Sequence, residues 1–125
     1  MKIISAPQAP AAIGPYSHAI EAGPFLFCSG QIPLDPATGK LVADDIEAQT
    51  RQVFANIKAV LGAAGLNLNH VVKSTVFLKD MADFGKVNPL YEAAFAPHKP
   101  ARSTIQVAKL PADARIEIEV IACRG

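Results

Sequence analysis

The chain has 125 residues and a formal net charge of +1; half of it is apolar and only 18% is charged. That length suits one domain with a single core, and the low charge beside many Ile, Val and Leu excludes intrinsic disorder. The charged fraction lies below the ~25% usual for soluble domains, so part of the folded surface is expected to be an apolar subunit interface.

Residues 1–15, rich in Ala and Pro, read as an extended arm leading into a first strand over 16–20. Gly23-Pro24 marks a turn, and 25–29 is a short second strand with aromatic residues at Phe25 and Phe27. The stretch GQIPLDPATGKLV follows as an irregular loop, because Pro33 and Pro36 cannot donate ladder hydrogen bonds. The strongest helix signal covers 45–64, where Ile46, Val53, Ile57, Val60, Leu61 and Ala64 follow a 3.6-residue period. Asp44 with Glu47 resembles a capping box at its start, and Gly65 suits the left-handed position at its end.

Val71 to Leu78 is β-branched and aromatic, as a buried strand requires. Between 81 and 96, Phe84, Val87, Tyr91 and Phe95 suggest a helix that Pro89 interrupts. Asn88 as N-cap with Pro89 at the first helical position predicts a turn at 81–87 and a helix at about 89–96. A strand over 104–110 closes at Pro111, and Ile116, Ile118, Val120 and Ala122 alternate with Glu117, Glu119, Ile121 and Cys123 in a last strand. The order β-β-α-β-α-β-β predicts an α+β domain over 1–125, with helices packed on one face of a single sheet.

Lys and Arg are dispersed and the charge is near zero, so no polyphosphate-binding footprint is present. No run of 18 apolar residues exists to span a membrane, and the N-terminus lacks the apolar core of a signal peptide. Cys28 and Cys123 show neither CxxC nor metal spacing and read as buried thiols in a reducing cytoplasm. His18, His70 and His98 are scattered, with no pairing that suits a metal. No phosphate loop, metal cluster or nucleophile elbow is found, so chemistry without a cofactor is expected.

Three features remain. Arg102, in PARST at the entry to a strand, offers paired donors matched to a small carboxylate; taken alone it reads more readily as a surface or ion-paired arginine. Glu117 and Glu119 share one face of the last strand, roughly 6–7 Å apart. Enclosure there would raise one pKa toward acid–base use, whereas an open face would leave two solvated carboxylates. Tyr16 follows Gly14-Pro15, and Ser29-Gly30 ends the second strand where a glycine permits either a ligand's approach or a simple turn.

The segments APAAIGPYSHAI, SGQIPLDPATG, VVKSTVFLKDMADFGKVNPLYEAAF, PARSTIQVAKLP and IEIEVIA together resemble the Rid family (RidA/YjgF), in order and over nearly the whole chain. That resemblance implies a chorismate-mutase-like subunit assembled as a homotrimer with ligand clefts between subunits. It also implies cofactor-free hydrolysis of reactive 2-imino or enamine acids, such as 2-iminobutanoate and 2-iminopropanoate, to 2-keto acids and ammonia. Such species are released by pyridoxal-phosphate dehydratases, the implied functional link.

By the same resemblance, Arg102 grips the substrate carboxylate, Glu117 positions the water and Tyr16 walls the cleft. Ser29, Gly30, Asn88 and Thr104 bind substrate, Gly30 and Thr104 mainly through their backbones. Thr104 stands where many imine-hydrolysing members have Cys, the loop before PARS is shorter than in some relatives, and Lys99 replaces a frequent aromatic. A helix-cap role also accounts for Asn88. Two other functions stay open: a non-catalytic module that binds a small carboxylate, and a ribonuclease or translation inhibitor, against which the near-neutral charge weighs.

Overall fold

The computed structural model describes residues 1–125. It contains strands β1 (Lys2–Ile4), β2 (Ala19–Ala22), β3 (Phe25–Cys28), β4 (Val71–Leu78), β5 (Ala101–Gln106) and β6 (Ile116–Cys123), and helices α1 (Ile46–Ala63) and α2 (Phe84–Phe95). The strands form one six-stranded sheet in the order β1-β2-β3-β6-β4-β5. Every pairing is antiparallel except β4 with β5, which is parallel. No helix is long and apolar enough to cross a membrane.

The alternation in β6 divides the sheet into two faces. Ile116, Ile118, Val120 and Ala122 are buried under the helices, while Glu117, Glu119, Ile121 and Cys123 face the other way. The α1 stripe of Val53, Ile57, Val60 and Leu61 joins these residues in one core with Val76 and Leu78 of β4. Fully burying each such side chain stabilises the fold by ~1.5–3 kcal/mol. Helix α2 adds Val87, Tyr91 and Phe95, and Phe54 of α1 meets the Tyr91 and Phe95 rings edge-on at 5.8 and 5.7 Å. No helix covers the opposite face or the sheet edges, where Ile3, Phe25, Phe27 and Ile105 stay exposed.

Several elements differ from the sequence reading. The arm carries an extra strand, β1, which pairs Ile3 with Ile20. Strand β2 starts at Ala19 rather than residue 16, because its register runs from Ala19 opposite Cys28 up to Ala22 opposite Phe25, beside the Gly23-Pro24 turn. Helix α1 is capped by Asp45, whose carboxylate accepts from the Ala48 N–H at 2.8 Å. The N3 position is therefore Ala48, so Asp44 and Glu47 form no capping box, and Asp44 pairs with Arg115 instead. Gly65 ends α1 as expected, at φ 73°. Its N–H donates to Gly62 and that of Leu66 to Leu61, the Schellman pattern.

The largest differences lie around the proline at 89. Helix α2 runs unbroken from Phe84, so Asn88 is inside it rather than its N-cap. Pro89 and Gly85 are both exposed, so the carbonyl deprived of its bond faces water, while the buried Val87–Tyr91–Phe95 stripe holds the helix together. Strand β5 spans Ala101–Gln106 rather than 104–110. A strand extends only as far as its partner, and Leu78, the end of β4, pairs with Gln106.

Candidate active site

Arg102 lies within β5, at an edge of the sheet and on the helix-covered side. Its Nη1 donates to Asn88 Oδ1 at 2.8 Å, and its Cζ lies 4.7 Å from the Tyr91 ring centroid and 5.2 Å from that of Phe84. Phe84, Asn88 and Tyr91 occupy i, i+4 and i+7 positions, so continuity of α2 through Pro89 sets all three on one stripe. Arg51, Arg115 and Arg124 each face a carboxylate; Arg102 faces none. Neutral partners orient the guanidinium and leave its charge free for an anion. Arg102 opens into a cavity of about 580 Å³, also lined by Asn88, Tyr91, Glu92, Lys99 and Pro100.

Glu117 lies in a second cavity, of about 340 Å³, with Tyr16, Gly30, Gln31, Ile13 and Pro111. Reciprocal backbone bonds between Gln31 and Ile118, at 2.9 and 3.1 Å, hold Gly30 against the Glu117 side chain. A Cβ on residue 30 would collide with Glu117 Oε2 and lie 2.9 Å from its Cδ, so only glycine leaves this carboxylate room. Burial, followed by repulsion from Glu119, pushes the Glu117 carboxyl above its usual range. Asn56, buried on α1, donates to the Ile32 and Leu34 carbonyls at 3.1 and 2.9 Å and fixes the loop that walls this cavity.

His18 secures the N-terminal side of the same cavity. Its Nδ1 accepts from the Ala6 N–H at 3.0 Å, so its Nε2 carries the proton and donates to the Pro10 carbonyl at 2.7 Å. His70 and His98 likewise bond to backbone groups. No three His, Cys, Asp or Glu side chains cluster in a way that could hold a metal ion. Burial raises the Cys28 thiol to about 12, which leaves it protonated at neutral pH.

The expected site residues thus fall into two groups. Tyr16, Gly30 and Glu117 share one cavity, whereas Arg102 and Asn88 share the other. The structure does not bring Arg102 to Glu117 within one chain, since Arg102 lies on the helix-covered side of the sheet and Glu117 on the other. Ser29 lines neither cavity; its hydroxyl donates to the Ser17 carbonyl at 2.6 Å. Thr104 also lines neither, and its Oγ1 is buried without a hydrogen-bond partner. Phe84, Tyr91 and Ser74 stand beside Arg102 without any motif in the sequence that marks them as site residues. The i, i+4, i+7 spacing of Phe84, Asn88 and Tyr91 is the signal that could have found the first and last.

The chain matches known proteins along its whole length. Residues 6–124 match the family model described as Endoribonuclease L-PSP. A RutC family protein of Pyrococcus horikoshii is 57% identical over 97% of this chain and 96% of its own. A 2-iminobutanoate/2-iminopropanoate deaminase of Salmonella typhimurium is 52% identical over 98% of each chain. The crystal structure of the E. coli YjgF gene product superposes with a TM-score of 0.95 at 49% identity, over the whole of both chains. Fold, element order and full-length similarity agree: the chain belongs to the Rid (RidA/YjgF) family, which includes proteins named endoribonuclease L-PSP and RutC.

Proposed function

We propose that this protein is an imine deaminase, which hydrolyses reactive 2-imino and enamine acids such as 2-iminobutanoate and 2-iminopropanoate to 2-keto acids and ammonia. The observation that carries this reading is Arg102, an oriented guanidinium matched by no carboxylate of its own chain. The deaminase name of a relative 52% identical over nearly the full length supports it.

In the proposed reaction Arg102 holds the substrate carboxylate and fixes the C=N carbon beside a water. Positioning supplies much of the acceleration, because a protonated imine is already a strong electrophile. The water oxygen bonds to the imine carbon while the C=N pair moves onto nitrogen. Glu117, with its raised proton affinity, takes the proton that water releases and returns it to nitrogen. The C–N bond then breaks, ammonia leaves, and the hydroxyl loses its proton as the keto group forms. Tyr16 walls the pocket, and the Gly30 backbone lines it.

Arg102 and Glu117 lie in separate cavities of one chain, so the complete site is proposed to form where the Arg102 cavity of one subunit meets the Glu117 cavity of the next. A homotrimer provides three such clefts and covers exposed apolar residues including Phe25, Phe27 and Ile105. The proposed setting is the cytoplasm, beside pyridoxal-phosphate dehydratases that release these imines. The test generates 2-iminobutanoate in situ with a dehydratase and follows its loss. Wild type accelerates the loss and folded Arg102→Ala does not; an Arg102→Ala protein with full activity contradicts the assignment. A wild type that binds 2-oxobutanoate without accelerating imine loss is a carboxylate-binding module instead.

A further inference from the structure

We propose that Tyr91, locked to Ser74, is a positioning residue for Arg102, an inference that rests on reading Arg102 as the carboxylate anchor. Ser74 lies directly beside Arg102 in the β4–β5 register. Across this rung the buried Ser74 and Tyr91 hydroxyls are 2.5 Å apart. The bond therefore ties α2 to the sheet at the level from which Arg102 projects.

Every contact that orients the guanidinium comes from α2: the Tyr91 ring at 4.7 Å, the Phe84 ring at 5.2 Å and the Asn88 amide oxygen at 2.8 Å. An arginine on an exposed edge strand has wide rotamer freedom, and these contacts narrow it before a ligand arrives. They can do so only if α2 keeps its height over the rung, which is what the Ser74–Tyr91 bond sets. Tyr91 suits both tasks, since its ring also packs against Phe54 and Phe95, with centroids 5.8 and 4.8 Å away. Burial raises the phenol's pKa, against opposing pulls from Ser74 and Arg102. It therefore stays neutral and supplies no charge that would compete with a bound carboxylate.

An aromatic residue needed only for the core would pack as well without its hydroxyl. The positioning role separates from that one because it acts through the hold of Arg102 on the carboxylate. A small loosening weakens that hold, yet substrate that saturates the site still reaches the productive pose, so KM rises while kcat changes little; losing the guanidinium altogether loses both. Losing one hydrogen bond is expected to raise KM for 2-iminobutanoate about 3- to 10-fold in Tyr91→Phe and in Ser74→Ala. The Kd of 2-oxobutanoate, which keeps the carboxylate and does not react, is expected to rise in parallel, and the double variant to bind no worse than the weaker single one.

Phe54→Leu disturbs the same aromatic cluster without touching Arg102, so it lowers the melting temperature and leaves KM unchanged. Tyr91→Phe and Ser74→Ala proteins with wild-type KM and Kd, or a Phe54→Leu protein with KM raised as much as theirs, overturn the proposal. If Arg102→Ala itself binds 2-oxobutanoate like wild type, the anchor reading fails first, and that result is distinct from failure of the clamp alone.

Discussion

Arg102 and Glu117 sit in surroundings that prepare them for opposite tasks. Arg102 is exposed, stacked on two rings and bonded to a neutral amide, so its charge is oriented but not satisfied. Glu117 is half-buried beside a second carboxylate and against Gly30, so its proton affinity is raised. A binding group works best with fixed geometry and a constant charge, whereas a proton-transfer group works best with a tuned pKa. One region is arranged by contacts and the other by desolvation, and they lie on two sides of the sheet, so the proposed site needs two subunits.

The sharpest break of that contrast is Glu117→Gln, which keeps shape and removes the base; kcat should fall roughly 10²–10⁴-fold. The same change should raise the melting temperature at neutral pH. With the folded pKa above the unfolded one, the stability linked to this group is fully present below the unfolded pKa and is lost as pH rises through the folded pKa. Removing the charge removes that loss, so a variant that is inactive and also melts lower would contradict the account of Glu117.

Gly30→Ala pushes the carboxylate aside without touching the core, and kcat should fall about 10- to 100-fold with little change in melting temperature. Wild-type kcat in that variant would show that the position of Glu117 does not matter. The mildest change is Glu119→Gln. It removes the second cause of the raised pKa, so the acid limb of the kcat/KM profile should move to lower pH while the plateau stays near wild type. An unmoved limb would leave burial as the sole cause.

Much of this was legible in the residues themselves. Helix α1 and strands β4 and β6 fell within a residue or so of their observed ends, because α1 and β6 carry long apolar periods and β4 is a run rich in β-branched and aromatic residues. Arg102, Glu117, Tyr16 and Gly30 stand out by chemistry and motif as candidates, and each lines one of the two cavities. Asn88 was only half legible: local proline rules put a helix boundary there, but burial of Val87, Tyr91 and Phe95 outweighs one solvent-facing bond lost at Gly85. That misplaced boundary separated Phe84 and Asn88 from Tyr91 and hid the platform beneath Arg102. Strand β1 was invisible because three residues carry no period, and Ile3 becomes a strand residue only through Ile20. The family resemblance implies clefts between subunits, but which site residue falls on which side was illegible, since the side of the sheet that a residue faces depends on strand register.

If Arg102 of one subunit works with Glu117 of its neighbour, mixed assemblies will reveal it. Arg102→Ala and Glu117→Gln chains, each inactive alone, are unfolded together in equal amounts, refolded and assayed for loss of 2-iminobutanoate. Random mixing leaves about a quarter of inter-subunit clefts with both native residues, so activity should recover to about a quarter of wild type. A mixture as inactive as its parents would place both residues in the same chain's site and contradict the account.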